Sequence, residues 1–174
     1  MFETHYKGRP RPAERPRARF SSDSRTYYLY NPPSYQKYKA GLTEFFNQFS
    51  DDKNLQELFN PKELVYGLSL KLIFRLKGKG KKPFYGKRPD IDNLFKAVAD
   101  SLFESNVNLI EDGIEQDKEG NTVTDAYGNP LTKYRQQIDD SRIIHTEMLK
   151  LRVDSEEEEG IKIVIRNVGK EEIS

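Results

Sequence analysis

The sequence predicts a single α+β domain, and two periodicities support that prediction. Between Leu64 and Lys77 apolar side chains alternate with other residues, which is the two-residue period of a β-strand. From Ile91 to Phe103 apolar side chains recur at the three- and four-residue spacing of one helix face. A chain of 174 residues is long enough for one domain of ordinary size and short for two. We therefore expect strands and helices to share one core.

The first 26 residues are rich in arginine and proline, and we expect a short strand near Phe2 to Tyr6. A segment of this composition is either a disordered solubilising tail or a basic arm that phosphates order. Three tyrosines follow it, at Tyr27, Tyr28 and Tyr30. They either stack on exposed bases or pack within a strand, and both interpretations stay open.

Two helices and the strongest strand come next. The prolines at 32–33 favour a helix start, and apolar residues then keep helical spacing as far as Phe49. A shorter helix is expected at 51–59, before an Asn-Pro pair. The strand from Leu64 becomes basic towards its end and runs into the loop 78–82, Gly-Lys-Gly-Lys-Lys. This loop is either simply solvated or a grip on phosphates.

The helix that starts near Asp90 carries the clearest chemistry. Pro89 favours extended backbone before it, where Asp90 and Asp92 would project from the same side, and one of the two is expected to cap the helix. Two converging carboxylates repel each other, and Lys96, one helical turn beyond Asp92, is placed to supply a cation. Hard oxygen ligands in a chain without cysteine favour Mg²⁺, which also retains water and phosphate ligands. The competing interpretation is an ordinary capped helix, with Asp92 and Lys96 as a surface pair.

The rest of the chain contains a polar stretch and two further strands. Residues 107–137 are rich in turn formers and predict a small hairpin or a mobile loop. Residues 141–153 are typical of a strand, and 154–160 form an acidic turn whose glutamates we expect to be solvated. Alternation returns at 161–165, which predicts an antiparallel pair with the preceding strand.

Charge is segregated along the chain although its net value is only +1. Between Leu64 and Pro89 there is no acidic residue, and local fields rather than net charge attract phosphates. No apolar stretch is long enough for a signal peptide or a membrane span, so we expect a cytoplasmic protein with no membrane partner. The candidate DNA-binding residues are Arg15, Arg17, Arg19, Lys79, Lys81, Lys82, Lys87 and Arg88.

Three segments resemble one known family. Arg88-Pro-Asp90-Ile-Asp92-Asn-Leu-Phe-Lys96-Ala-Val-Ala-Asp-Ser-Leu102 resembles the signature of the RusA-like Holliday junction resolvases, a bacterial and phage family of metal-dependent endonucleases. Ile138-Asp-Asp-Ser-Arg-Ile143 resembles the family's second acidic motif, which is followed by a strand ending in a lysine, here Lys150. The basic segment Arg15-Pro-Arg-Ala-Arg-Phe20 resembles the basic entry of many phage members.

The resemblance implies a fold, a cofactor and a substrate. The fold is a single two-layer α+β domain over 1–174, with a mixed or antiparallel sheet and helices on one face. Asp90, Asp92 and Asp140 would bind Mg²⁺, or Mn²⁺, and Lys96 would orient water or stabilise the phosphate. The chain would act as a homodimer that resolves four-way DNA junctions by paired nicks.

The third metal ligand has two candidates. In the family the second acidic motif follows the helix sooner than Asp140 does, so we interpret 107–137 as an insertion. Asp112 lies at the more usual distance, but only the Asp139-Asp140 pair leads into an apolar strand that would fix a ligand. We therefore prefer Asp140, which would share a strand face with Lys150, and expect Asp139 to face away or support it.

Two other functions remain open from sequence alone. The same basic surfaces would serve a structure-specific DNA- or RNA-binding protein without cleavage. A metal-dependent phosphodiesterase with a different nucleic-acid substrate would carry similar acidic residues.

Overall fold

The computed structural model describes residues 1–63 and 66–174. Its helices and strands confirm the α+β class, and the strand predicted from Leu64 begins at Leu68, with Leu64 and Val65 outside the described residues. The elements in chain order are β1 (Phe2–Lys7), β2 (Arg17–Ser21), β3 (Thr26–Tyr30), α1 (Pro33–Asn47), α2 (Lys53–Phe59), β4 (Leu68–Lys77), α3 (Ile91–Phe103), β5 (Leu109–Ile114), β6 (Thr132–Gln136), β7 (Ile143–Val153) and β8 (Gly160–Asn167).

The main sheet has four strands in the order β1, β8, β4, β7. Strand β4 is parallel to β7 and antiparallel to β8, which is in turn antiparallel to β1. The predicted antiparallel pairing of β7 with β8 is therefore wrong, because β4 lies between them. Strand β4 is the most apolar strand and is buried. Its backbone groups therefore need partners on both edges, which the central position supplies. The acidic turn crosses the end of β4 to reach β8.

The helices cover one face of this sheet. Alternate residues of β4 point into the core and are at most 1% exposed, whereas Lys71, Ile73 and Arg75 on the other face are half-buried. Helices α1 and α3 bring their apolar stripes against that row, as the periodicity predicts. Among the described residues, no helix is both long and apolar enough to cross a membrane. The core residues of β4 are Leu68, Leu70, Leu72, Phe74 and Leu76.

The N-terminal segment has three parts. Strand β1 belongs to the main sheet, so the strand expected near residues 2–6 is confirmed. Residues 8–16 then run along the body of the protein, and the Ala13 N–H donates a 2.8 Å hydrogen bond to the carbonyl of Asn93 in α3. Strands β2 and β3 form a separate two-stranded hairpin.

The polar stretch between α3 and β7 is a second hairpin, built from β5 and β6. Its base is held by the buried amide of Asn108, which donates to the carbonyls of Phe103 and Ile138, both at 2.9 Å. The Asn108 side-chain oxygen also accepts the Ile138 N–H at 3.0 Å. The chain thus leaves and re-enters the body of the protein at one buried hydrogen-bonded point.

The tip of this hairpin contains a repeat. Asp117 and Asp125 each begin an Asp-x-x-Gly-Asn turn, in which one carboxylate oxygen accepts two backbone N–H groups. These bonds hold the pKa of both aspartates below its usual value. Glu115, Val123 and Leu131 donate to one another's carbonyls in a closed ring of backbone hydrogen bonds of 2.8 to 2.9 Å. The carboxylates of Asp117 and Asp125 are therefore used by their own turns.

Candidate nuclease site

The acidic pair lies at the N-terminus of α3. Asp90 is the N-cap residue in extended backbone, and its carbonyl accepts the Leu94 N–H at 3.2 Å, but its carboxylate makes no capping bond. Asp92 lies in the first helical turn, so the expectation that both aspartates share one extended segment is wrong. Both side chains are exposed, and within residues 1–63 and 66–174 neither joins a salt bridge.

Lys96 lies one turn further along α3, and its ion pair differs from the one expected. Its ammonium is 3.2 Å from a carboxylate oxygen of Asp100, four residues ahead, rather than reaching back to Asp92. Lys96, Asp100 and Asp140 line one shallow groove of about 320 Å³ together with Thr146. The structure thus brings Lys96 and Asp140 to the same place. Asp100 was not singled out from sequence, although its four-residue spacing from Lys96 was a usable signal.

The second acidic motif forms a tight turn rather than the start of a strand. Residues 140–142 are a single 3-10 turn capped by Asp139, whose carboxylate accepts the Ser141 N–H at 2.9 Å. That bond lowers the pKa of Asp139. Because β7 begins only at Ile143, the predicted strand from 141 and the shared strand face of Asp140 and Lys150 are wrong. Asp139 caps the turn, and Asp140 faces the groove.

Asp112 has a different setting. It sits in the irregular part of β5, beside Gly113 at a φ of 87°, where the register with β6 shifts. One of its oxygens lies 3.4 Å from Nε of Arg135 on β6. Asp112 is thus paired within the β5–β6 hairpin.

A basic cleft adjoins the acidic pair along the chain. The loop after β4 folds against the end of β7 and encloses a space of about 870 Å³. Arg152 of β7, which sequence reasoning did not select, lines the cleft, donates to the carbonyl of Lys82 at 2.8 Å and pairs with Asp154. Phe84 is exposed in it, and Arg88 is exposed beyond its end. Four of the predicted DNA-binding residues line the cleft: Lys79, Lys81, Lys82 and Lys87.

Lys150 ties this loop to the sheet. Its ammonium donates to the carbonyls of Lys87 and Pro89, both at 2.8 Å, and lies 5.8 Å from the ring centre of Tyr85. The Tyr85 N–H in turn donates to the Lys150 carbonyl at 3.0 Å. Lys150 therefore fixes the backbone immediately before Asp90, a positioning role that spacing in the sequence could not reveal.

The basic arm passes the N-terminus of α3, where the Ala13 N–H bonds to the Asn93 carbonyl. Arg9 is anchored by Glu159, a buried carboxylate 2.7 Å from its guanidinium that also accepts the Lys77 N–H. The expectation that the glutamates of 154–160 are solvated is thus wrong for Glu159. Arg15 and Arg19 are exposed further along, and Arg17 is 3.1 Å from Glu14.

Comparison with known proteins decides the family. The model of endodeoxyribonuclease RusA matches residues 7–114, more than half of the chain. The chain belongs to the RusA endodeoxyribonuclease family. At the level of the family, it is an endonuclease of the kind that resolves Holliday junctions. No curated protein and no solved structure matched it.

The RusA match covers only part of the predicted site. It includes Asp90, Asp92, Lys96 and Asp112 and ends before Asp140. The donor chemistry suits the divalent metal that the resemblance implies, because exposed carboxylates are hard oxygen ligands. Within residues 1–63 and 66–174, however, no three histidine, cysteine or acidic side chains are grouped closely enough to hold an ion. The ligand set remains a prediction.

Proposed function

We propose that this RusA-family chain is a metal-dependent endodeoxyribonuclease that resolves four-way DNA junctions by paired hydrolytic nicks. One observation carries the proposal. Lys87, which lines the basic cleft, is three residues before the exposed Asp90, the N-cap residue of α3, and Lys150 holds the carbonyls of Lys87 and Pro89 between them. Basic residues that can hold phosphates are therefore followed along the chain by carboxylates that suit a hard cation.

The metal would be Mg²⁺ or Mn²⁺, held by Asp90, Asp92 and Asp140. When bound, it would activate a water and neutralise charge on the scissile phosphate. Bringing three carboxylates together is unfavourable without a cation, so we expect their approach and metal binding to be coupled. Asp139 would hold its turn, and Asp112 would take no part.

Lys96 would act on the phosphate from the groove that it shares with Asp140. Its ammonium is exposed and can stabilise negative charge that develops on a phosphate oxygen. Asp100 would keep that ammonium in the groove between turnovers.

DNA would be held through its backbone. Lysine and arginine side chains contact phosphates without reading bases, so this grip would serve many sequences. Resolution of a four-way junction requires two nicks related by two-fold symmetry, which is why we propose a homodimer. The proposed phosphate contacts are Arg15, Arg17, Arg19, Lys79, Lys81, Lys82, Lys87 and Arg88.

A binding protein without cleavage is the second candidate. It is favoured by the pairing of Lys96 with Asp100 and by the lack of a three-residue metal cluster in the described ranges.

A substrate panel tests the proposal. The purified protein is incubated with a four-way junction, a flap and a linear duplex, each with Mg²⁺ or with EDTA. Symmetric nicks in the junction alone, and only with Mg²⁺, are expected. Binding without nicks would establish the second candidate, and preferred cleavage of the flap would assign a different phosphodiesterase.

A further inference from the structure

The β2–β3 hairpin exposes an apolar face. In the described part of the chain neither strand pairs with anything but the other. The register places Phe20 opposite Tyr27 and Ala18 opposite Leu29, so these four side chains share one face. The exposed fractions are 53% for Phe20, 77% for Tyr27 and 72% for Leu29. The ring centroids of Phe20 and Tyr27 lie 5.2 Å apart. An isolated two-stranded hairpin with such a face is marginal in water and gains from a ligand that covers it.

The opposite face and the turn show what kind of ligand fits. Arg17 lies opposite Tyr30, and Arg19 lies opposite Tyr28, so the second face alternates guanidinium and phenol groups. Residues 15–30 contain four arginines and one aspartate. A ligand that suits both faces carries negative charge and flat aromatic groups, which describes the unpaired bases and phosphates of nucleic acid.

The hairpin is also rooted beside the acidic pair. The Ala13 N–H bonds to the carbonyl of Asn93, the residue after Asp92, and β2 begins four residues after Ala13. The inserted β5–β6 hairpin differs, because residues 109–136 carry six acidic and three basic side chains. Of the two hairpins in the described ranges, the N-terminal one combines positive charge with a hydrogen bond to the start of α3.

We propose that the β2–β3 hairpin enters the branch point of DNA, where its apolar face stacks on unpaired bases and its arginines hold the flanking phosphates. This inference rests on the proposed function, since it presumes a branched substrate. It assigns Phe20 and Tyr27 to base stacking, whereas Tyr28 and Tyr30 lie on the face that carries the arginines.

The test measures binding in EDTA, where no cleavage occurs. Affinity is determined for a four-way junction with unpaired thymines at its centre and for a linear duplex of equal length, over a range of salt. The variant Phe20→Ser/Tyr27→Ser should lose about tenfold of the preference for the junction, since stacking on one or two rings is of that size. Its affinity for duplex, its salt dependence and its melting temperature should stay unchanged, because the hairpin lies outside the core. Tyr27→Phe, which keeps the ring, should retain the preference.

A matched control is Tyr127→Ala, which removes a tyrosine that is 91% exposed on the other hairpin. It should bind like the wild type. An unchanged preference in Phe20→Ser/Tyr27→Ser would overturn the inference. A molecular mass of this variant in solution that is half that of the wild type would also overturn it, because a second copy of the chain would then cover the apolar face. Cleavage by the wild type in Mg²⁺ is measured separately. Normal cleavage with no stacking effect would reject this inference alone, and a stacking effect without cleavage would reject the nuclease proposal alone.

Discussion

At the scale of single residues, the site depends on side chains that hold other groups in place. Lys150 binds the backbone before Asp90, Asp139 caps the turn that carries Asp140, and Glu159 anchors the arm. The contacts of Lys150 and Glu159 join residues that are distant in sequence, and that of Asp139 is local. Positioning by buried or paired groups matters because an error of about 1 Å in a reacting geometry can cost roughly 100-fold in rate.

Lys150→Met tests the first of these contacts. Methionine keeps much of the apolar stem and removes both hydrogen bonds to the loop, so the junction cleavage rate should fall by about 100-fold while the fold remains intact. The measurement is single-turnover cleavage together with a melting curve. Lys37→Met, on the exposed side of α1, is the control and should cleave normally. A normal rate for Lys150→Met would show that the loop needs no such support.

The choice of third ligand gives a second prediction. Asp140→Asn should lose cleavage as completely as Asp90→Asn, because Asp140 shares a groove with Lys96. Asp112→Asn should cleave nearly normally, because its carboxylate is paired with Arg135 inside the insertion. Rates of both variants on one junction decide the matter, and the reverse pattern would assign the ligand to the hairpin.

At the scale of elements, we predict that the β5–β6 hairpin is separable from the site. Leu109 pairs with Gln136 at its base, and Asn108 closes the junction below them. Replacing residues 110–135 by Asn-Gly should give a short hairpin with a favoured two-residue turn. The shortened chain should melt close to the full-length protein and retain cleavage. Loss of cleavage with an intact fold would show that the hairpin contributes to the active site.

Asn108→Ala is the contrasting variant and should destabilise the protein by about 1–3 kcal/mol, because buried backbone groups lose their partner.

The basic loop is the element that should set the salt dependence of binding. Replacing Lys79, Lys81 and Lys82 by alanine removes up to three phosphate contacts, and each contact contributes roughly 0.9 to the slope of log affinity against log salt. Titrations of a junction at several salt concentrations measure the change. Lys53→Ala, at the start of α2, is the control. An unchanged slope in the triple variant would place the phosphate grip elsewhere.

These elements also show how far sequence reasoning reaches. The stripe of α3 and the alternation of β4 were predictable because each element must bury one face. The place of β4 between β7 and β8 was not, because strand order depends on which edges the assembled core covers. The partner of Lys96 was missed because Asp92 and Asp100 both lie one turn from it on the same helical face, and sequence spacing does not choose between them. The turn at 140–142 was missed because the Asp139 side chain bonds to the backbone locally and so delays the start of the strand.

At the scale of the whole molecule, one sheet face carries the helices, and the functional groups lie at the ends of β4, β7 and α3, with the basic cleft and Asp140 at opposite ends of the parallel β4–β7 pair. The acidic pair starts α3, the basic cleft follows β4, and Asp140 precedes β7. This arrangement makes the acidic pair the chemical centre of the account and the basic surfaces its means of holding DNA. Removing an acid should therefore separate catalysis from binding.

The most direct test of the central claim is Asp90→Asn, assayed for cleavage of a four-way junction in Mg²⁺ and for binding to it in EDTA. The change removes a carboxylate charge with little change in shape, and Asp51→Asn, at an exposed site before α2, is the control. We expect cleavage to be abolished while binding is equal or tighter, because repulsion of the phosphate falls. Full cleavage by Asp90→Asn would contradict the account, since the acidic pair would then not be the catalytic centre.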